Sequence, residues 1–596
     1  MIKMQVEMQL ETEMKMEVEV EMDSLSTPTS VAEVHVNQNT DTNSNVAADI
    51  VITEPKQQQQ QQKQSVCLSV AEKLRRFCYI GTFDVPIFAA TTLDLTVESH
   101  FPVLLELCAQ ISQRELIECL SSVLAAGNAE QLPRRDEALL VLAVYLSSCT
   151  DDKERNSARG HFVMLVTSGK DLLLFIKFVK RVQSLMKRKT PFSRTIRKAV
   201  IDWYKLQPLE RLLEMWSMSD CEYCTHRDLL FHCHYTSEKF DMDILAALRL
   251  IFTPPKEVIL WPDHLDPLIN LKEFILGIAK VRLAQKPEEA LPIVQQLHLG
   301  FQHVPRILMS DPQLLNILLP KMSYDQLLET WQKFLNVFKV HRDDQRKYTE
   351  LFFDESKLRD ANVTPIRLLI QESRLIKRKR LVTRGVVPTV HSTFMLNLYK
   401  RCFGLNKPIG LRLHITINLE KCYIGKYLNG RWRSVKYLDA VLALAFGYYK
   451  SESQVNVRIW YDKSGRLKPL PWTPTMTVDE AKSCCEMQQI VKIKQTLTDV
   501  IDNALNDAAN TFDAFLVLVP SATRGNPNNN SDELFRRLNE YRQTRNPNAK
   551  FIIMSLRENH GSMTYSKERK ENILELCGIS DQMPRLINAF ANGKFV

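Results

Sequence analysis

Residues 411–417 read LRLHITI, and at this point the pattern of the chain changes. The run is short, apolar and rich in β-branched residues, which reads as a strand buried on both faces. Val455–Tyr461 (VNVRIWY), Asp513–Val519 (DAFLVLV) and Phe551–Leu556 (FIIMSL) repeat the type. Between them lie helical stretches at Val435–Tyr449, Val478–Gln489, Asp499–Ala509 and Ser531–Tyr541. Strands that alternate with helices predict a mostly parallel, doubly wound sheet over 405–596, with its site at the carboxyl ends of the strands.

Upstream of 405 the periodicity is helical. Asp136–Ser148 (DEALLVLAVYLSS) is apolar nearly all round and predicts a buried helix. Asp171–Val182, Arg194–Tyr204, Phe240–Phe252, Leu271–Leu283, Asp311–Met322 and Tyr324–Phe338 follow at helical spacing, separated by prolines and short polar stretches. No period-two alternation persists here, so 66–404 predicts a stack of antiparallel helix pairs. Residues 1–65 differ again: a Met/Glu/Val run, a Ser/Thr/Asn stretch and six glutamines at 57–62 predict a disordered acidic tail.

Charge separates along the same boundaries. The 596 residues carry +9 overall, but residues 1–63 hold eleven acidic and four basic side chains, which leaves the rest of the chain at +16. A basic body calls for an anionic partner, nucleic acid before membrane. No stretch has the apolar length of a spanning helix or of a signal-peptide core, so the thirteen cysteines read as thiols of a reducing compartment. No phosphate-binding loop, G-x-S-x-G or H-E-x-x-H occurs, and only 17 glycines are present. An enzyme is therefore not expected, and no cofactor.

The positive charge is densest over 170–205, with eleven Lys/Arg against Asp171 and Asp202. Arg194, Arg197 and Lys198 stand at i, i+3 and i+4 on one helix face, with Ile196, Val200, Trp203 and Tyr204 turned mainly away from it. Such a helix can bury one side and offer the other to phosphates. A second basic run, LIKRKRLVTR at 375–384, reads equally as a phosphate contact, a nuclear-import signal or the exposed end of a helix. Cys221, Cys224, His226, His232, Cys233 and His234 resemble a zinc ligand set. The better reading is a helix capped by Thr225 and Asp228, which carries Leu229, Leu230 and Cys233 inward.

Several blocks resemble one family. LRRFCYIG at 74–81 is similar to the segment that opens the TROVE module of telomerase, Ro and vault proteins. IRKAVIDWY at 196–204 resembles the Ro family's Leu-Arg-Lys-Ala-Ile-Ala-Asp-Trp-Tyr, and THRDLL at 225–230 and VTPIRLLI at 363–370 resemble further Ro blocks in the same order. ENILELCGI at 571–579 resembles the last helix-turn of the Ro A domain. The chain is thus identified as a divergent member of the Ro ribonucleoprotein autoantigen family.

The resemblance implies a HEAT-like helical ring followed by a von Willebrand A-like α/β domain. It also implies a basic outer surface for small non-coding RNA and a central hole for the single-stranded ends of defective RNA. The RNA-binding residues expected on these grounds are Lys180, Arg181, Lys187, Arg188, Lys189, Arg194, Arg197 and Lys198, with His234 aligned to a family RNA contact. Two basic family contacts align with Ser217 and Cys221, which departs from the pattern. The A domain departs too. Metal-binding members carry Asp-x-Ser-x-Ser after the first strand, and the matching positions read Thr416, Asn418 and Glu420, with Thr496 as the distant threonine and Pro520 in place of a later Asp. No metal is expected there.

The resulting expectation is a ribonucleoprotein component that binds Y-RNA-like small RNA or misfolded structured RNA in RNA quality control. The alternative is a protein-interaction scaffold of the same fold that has lost small-RNA binding, with protein partners reached through the A-like domain. The expected location is the cytoplasm, with the nucleus as a second compartment and no membrane partner. The acidic tail is expected to compete with RNA for the basic body.

Overall fold

A computed structural model describes residues 68–596 apart from 91–94, 125–134, 191, 218–224, 235–239, 329, 332–348, 383–388, 430–433, 463, 492, 523–530, 559 and 562–570. The tail expected over 1–65 lies outside the described residues, as do Cys221 and Cys224, and the side chains of the basic run 375–384.

Helices fill the first two thirds of the described chain, and their starts follow from the sequence. Ser69, Asp151, Ser168, Ser193, Thr225, Asp311 and Asp354 each accept a hydrogen bond from a first-turn N–H. Ser69–Glu72 and Thr225–Asp228 close full capping boxes. Helix Asp136–Ser148 is buried at 136's neighbours Glu137 through Ser147 without a break. It packs between helices Val97–Gln110 and Gly169–Leu185. A fully buried leucine contributes roughly 1.5–3 kcal/mol, and this helix holds Leu139, Leu140, Leu142 and Leu146 at no more than 1% exposure. It is the anchor of the first helical layers.

The sheet has seven strands: β1 Ile87–Ala89, β2 Leu413–Ile417, β3 Val455–Trp460, β4 Leu467–Pro469, β5 Ala514–Val519, β6 Lys550–Ser555 and β7 Ile573–Cys577. Their order is β1-β7-β6-β5-β2-β3-β4, parallel throughout except for the β3–β4 hairpin. The chain leaves β2 toward β3 on one side and returns through β5, β6 and β7 on the other. The switch point therefore lies outside the carboxyl ends of β2 and β5. β2, β5, β6 and β7 are buried at every residue, because helices cover both faces.

Two elements differ from the sequence reading. ILELC is the buried strand β7 and not a helix-turn; its central Glu575 is buried and accepts a 2.7 Å bond from Ser555 Oγ, so a carboxylate interrupts an otherwise apolar run. The helix expected over 435–449 is Tyr437–Val441, a π-turn Leu442–Phe446 and Gly447–Ser451.

β1 comes from the helical part of the chain, yet it pairs with the edge of the sheet: Ile87 with Glu575, Phe88 with Leu576 and Ala89 with Cys577. Beside it Arg76, fully buried, donates to the carbonyls of Val596 and Asp84, and Tyr79 stacks on Phe595 at 4.8 Å. At the far end of the helical part, Ser373 bonds Ser434, Tyr399 donates to Asp439 O and Lys400 pairs with Asp479. The helical segment thus leaves the A domain at one seam and meets it again at another, which closes a ring. Among the described residues, no helix is long and apolar enough to cross a membrane.

Candidate nucleic-acid interface

The residues expected to meet RNA lie on helix Gly169–Leu185, the turn after it, and helix Arg194–Lys205. The second helix is held by its apolar side. Ile196, Ala199, Val200, Trp203 and Tyr204 are fully buried, and the Trp203 indole N–H donates to Val166 O at 2.6 Å. Its opposite side leaves Arg194 and Lys198 exposed. Arg197 is half-buried, and its Nε is out of solvent with no hydrogen-bond partner.

The turn between the helices is defined. Lys187 takes a left-handed φ of 55°, its N–H bonds Ser184 O at 3.0 Å and the Arg188 N–H bonds Gln183 O at 3.0 Å. This pairing terminates the first helix and carries Lys187, Arg188 and Lys189 outward as an exposed trio. Arg181 is different. It is exposed but paired with Glu98 of helix Val97–Gln110, so its charge is compensated.

The third contributor is helix His226–His232. Its Leu229, Leu230 and Cys233 face inward. His226 is drawn into the interior, where its Nδ1 and the Tyr204 hydroxyl lie 2.7 Å apart and burial lowers its pKa to about 4. His232 stacks on Phe192 at 5.7 Å and 16°, and Lys180 Nζ stands 5.9 Å over the same ring. The structure therefore brings Lys180, Phe192 and His232 together at one edge, with Phe231 beside them at 74% exposure. Neither Phe192 nor Phe231 was among the residues expected from sequence, although an aromatic residue next to a lysine run is a usable signal for base stacking. His234 is exposed at the end of this helix, with φ 51°. The three histidines have separate surroundings: Tyr204 for one, Phe192 for the second and solvent for the third.

At the switch point of the sheet the positions matched to the metal pattern have different surroundings. Thr416 lies inside β2, fully buried, 3.2 Å from His414 Nδ1. The strand ends at Ile417, so Asn418 is the residue that reaches the carboxyl-end crevice. There its Nδ2 donates to Gln495 Oε1 at 2.9 Å, and its Oδ1 accepts the Glu420 N–H at 2.9 Å. Gln495 Nε2 in turn donates to Ser521 O at 2.8 Å, and the Tyr437 hydroxyl donates to Asn418 O at 3.0 Å. Gln495, rather than Thr496, faces Asn418. A ladder of neutral amides spans the crevice. Among the described residues, no three His, Cys, Asp or Glu side chains form a cluster that could hold a metal ion.

Residues 412–591 match the family model of the Ro60 vWA domain. No curated protein matches the chain. Among solved structures, the Ro protein (RSR) of Deinococcus radiodurans is similar at 18% identity and a TM-score of 0.67, over 88% of this chain and 100% of that one. At that identity the likeness is one of fold, and it extends over helical ring and A domain together. Residues 412–591 are thus similar to a Ro60-type A domain, and the chain as a whole shares the fold of a Ro protein, a helical ring closed by that domain.

Proposed function

We propose that the protein is a non-catalytic RNA-binding scaffold for small non-coding or misfolded structured RNA in RNA quality control. The observation that carries this reading is the basic edge: five exposed cations, Lys187, Arg188, Lys189, Arg194 and Lys198, on one turn and the helix after it. Lys180 and His232, packed on the buried Phe192, continue it, and the exposed rings of His232 and Phe231 make it stackable. Phosphates supply affinity to such an edge, and the rings supply contact with unpaired bases. His234 extends the edge at the end of its helix. In the A domain, neutral amides occupy the place where carboxylates would offset the charge of a cation, so we take this domain to act without a metal. Sequencing the RNA that co-purifies with the full chain tests the proposal. A defined set of structured RNAs, depleted when the five cations are changed to Gln, is the expected result. The same RNA recovery from wild type and variant counts against it.

A second reading is a protein-interaction scaffold. It is favoured by Tyr427, Met487 and Val491, which are at least half exposed near the carboxyl ends of the strands. Partners that survive ribonuclease treatment and are lost on Val491→Asp would place protein binding at the A domain.

A further inference from the structure

Between the last helices of the ring and the A domain lies a cavity of about 350 Å³, a volume typical of small-molecule sites. Two helices begin at its wall. Thr364, Pro365 and Arg367 belong to the start of helix Pro365–Val382 on the ring side, and Asp581, Pro584 and Arg585 to the start of helix Met583–Ala591 on the A-domain side. Pro365 and Pro584 have no N–H, and the N–H groups of Arg367 and Met583 are taken by Thr364 and Ser580, so these starts contribute the positive end of a dipole and the placement of their side chains.

Each of these turns adds a guanidinium. Arg367 holds Asp325 at 2.6 Å, and that carboxylate is mostly exposed on its outer side. Arg585 is partly desolvated; burial first and the Arg367 charge second make it a weaker base than an ordinary arginine, while the carboxylates of Asp325 and Asp581 act the other way. Lys407 stands exposed at the rim. Three cations thus face two carboxylates, Asp325 and Asp581, in a partly dry wall. Like charges gathered in low dielectric are offset when an anion joins them. The wall also holds a polar atom of the opposite demand: Asn406 Oδ1 is buried and has no hydrogen-bond partner, so it lacks a donor.

We propose that this cavity binds a small phosphate ester carrying a free hydroxyl, of the size of a mononucleotide or sugar phosphate. The phosphate is taken by the side chains of Arg367, Arg585 and Lys407, and the hydroxyl donates to Asn406. The ligand touches ring and A domain at once, so its binding stabilises the closed ring. The site is independent of the basic edge.

The test uses the full chain with adenosine 5′-monophosphate, ribose 5-phosphate and adenosine as probes, read by calorimetric titration and thermal unfolding. Both phosphate esters should bind saturably and raise the melting temperature, and adenosine should do neither. Arg585→Gln should weaken the nucleotide at least tenfold. Lys407→Glu, at an exposed position, should weaken it several-fold without changing the melting temperature of the free chain. A 5′-phosphorylated oligoribonucleotide that displaces the nucleotide, where its 5′-hydroxyl form does not, assigns the phosphate to an RNA end. Displacement by free esters alone assigns it to a metabolite, and either result keeps the site. No saturable binding of any phosphate ester, or equal affinity in both variants and wild type, overturns it.

Discussion

Changing Lys187, Arg188, Lys189, Arg194 and Lys198 to Gln removes the five charges that the structure leaves exposed along the basic edge. Each phosphate contact contributes about −0.7 to the slope of log K against log salt for a single strand, and about −0.9 for a duplex. If all five side chains contact phosphates, the variant loses about 3.5–4.5 from that slope. Between 50 and 200 mM salt those contacts account for roughly a hundred- to five-hundredfold of the wild-type change in affinity. Arg181→Gln is the internal control. That side chain is 53% exposed, but Glu98 already holds it, so the slope should stay as it is and stability should fall by less than about 1 kcal/mol. Lys187→Gly is a second control. It removes one charge at a left-handed position, where glycine is favoured by about 1 kcal/mol, so the slope should drop by one contact while the fold gains stability. Fluorescence anisotropy of a labelled structured RNA from 50 to 300 mM KCl reads all four proteins. A five-site variant that stays folded by circular dichroism and keeps its slope to within about 1 would refute the assignment of this edge.

Other outcomes follow from single sites. Arg76→Met removes a fully buried guanidinium and its bonds to the partly exposed carbonyls of Asp84 and Val596, and the urea midpoint should fall by the equivalent of about 2 kcal/mol. Burial, and after it the nearby Arg458, lowers His414 to about 4 from 6.5. The unfolded chain takes up that proton first, so this contribution is complete above pH 6.5 and is lost as pH falls toward 4; His414→Gln should flatten that limb of a stability–pH curve by up to ~3 kcal/mol. Thermal unfolding should be the same in EDTA and in millimolar Mg²⁺ or Mn²⁺, and a saturable rise that disappears in Glu420→Gln would show a working cation site. Deleting residues 1–65 should raise RNA affinity, most at low ionic strength, and an unchanged or lower affinity removes the competition by the tail.

The strands after 405 were legible to within about two residues and the helices between them to within about three, because buried parallel strands leave continuous apolar runs. β1 and β4 were not, since three residues carry no period. β7 was misread because Glu575 stands in its middle, and only Ser555, on the neighbouring strand, explains how a carboxylate is accommodated there. At the basic edge, composition identified the segment but not the free charges. Arg181 is compensated by a residue 83 positions earlier in the chain, and the folding-in of Arg197 depends on what packs beside its helix. The aromatic partner Phe192 was visible in the sequence as one more apolar residue, and its packing against Lys180 and His232 is a tertiary fact. At the crevice the strand ends at Ile417, as LRLHITI suggested; of the pattern positions Thr416 and Asn418, only Asn418 leaves the strand and faces Gln495, which the sequence does not reveal.

The two seams that close the ring are built differently, and the difference bears on how it responds to a ligand. At the first seam β1 extends the sheet through backbone pairing, while Arg76 and the Tyr79–Phe595 stack lie buried beside it. Parting this seam exposes apolar surface and strands main-chain groups, both of which are costly. The second seam combines Ser373–Ser434, Tyr399–Asp439 and the partly exposed Lys400–Asp479 pair with the Phe403–Phe446 contact, and it contains the charged cavity. The exposed pair exchanges for water at little net loss, whereas Phe403 and the buried Tyr399 do not. The polar, solvent-lined part of this seam is the cavity, and an anion bridging Arg367 on one side and Arg585 on the other strengthens the closure there.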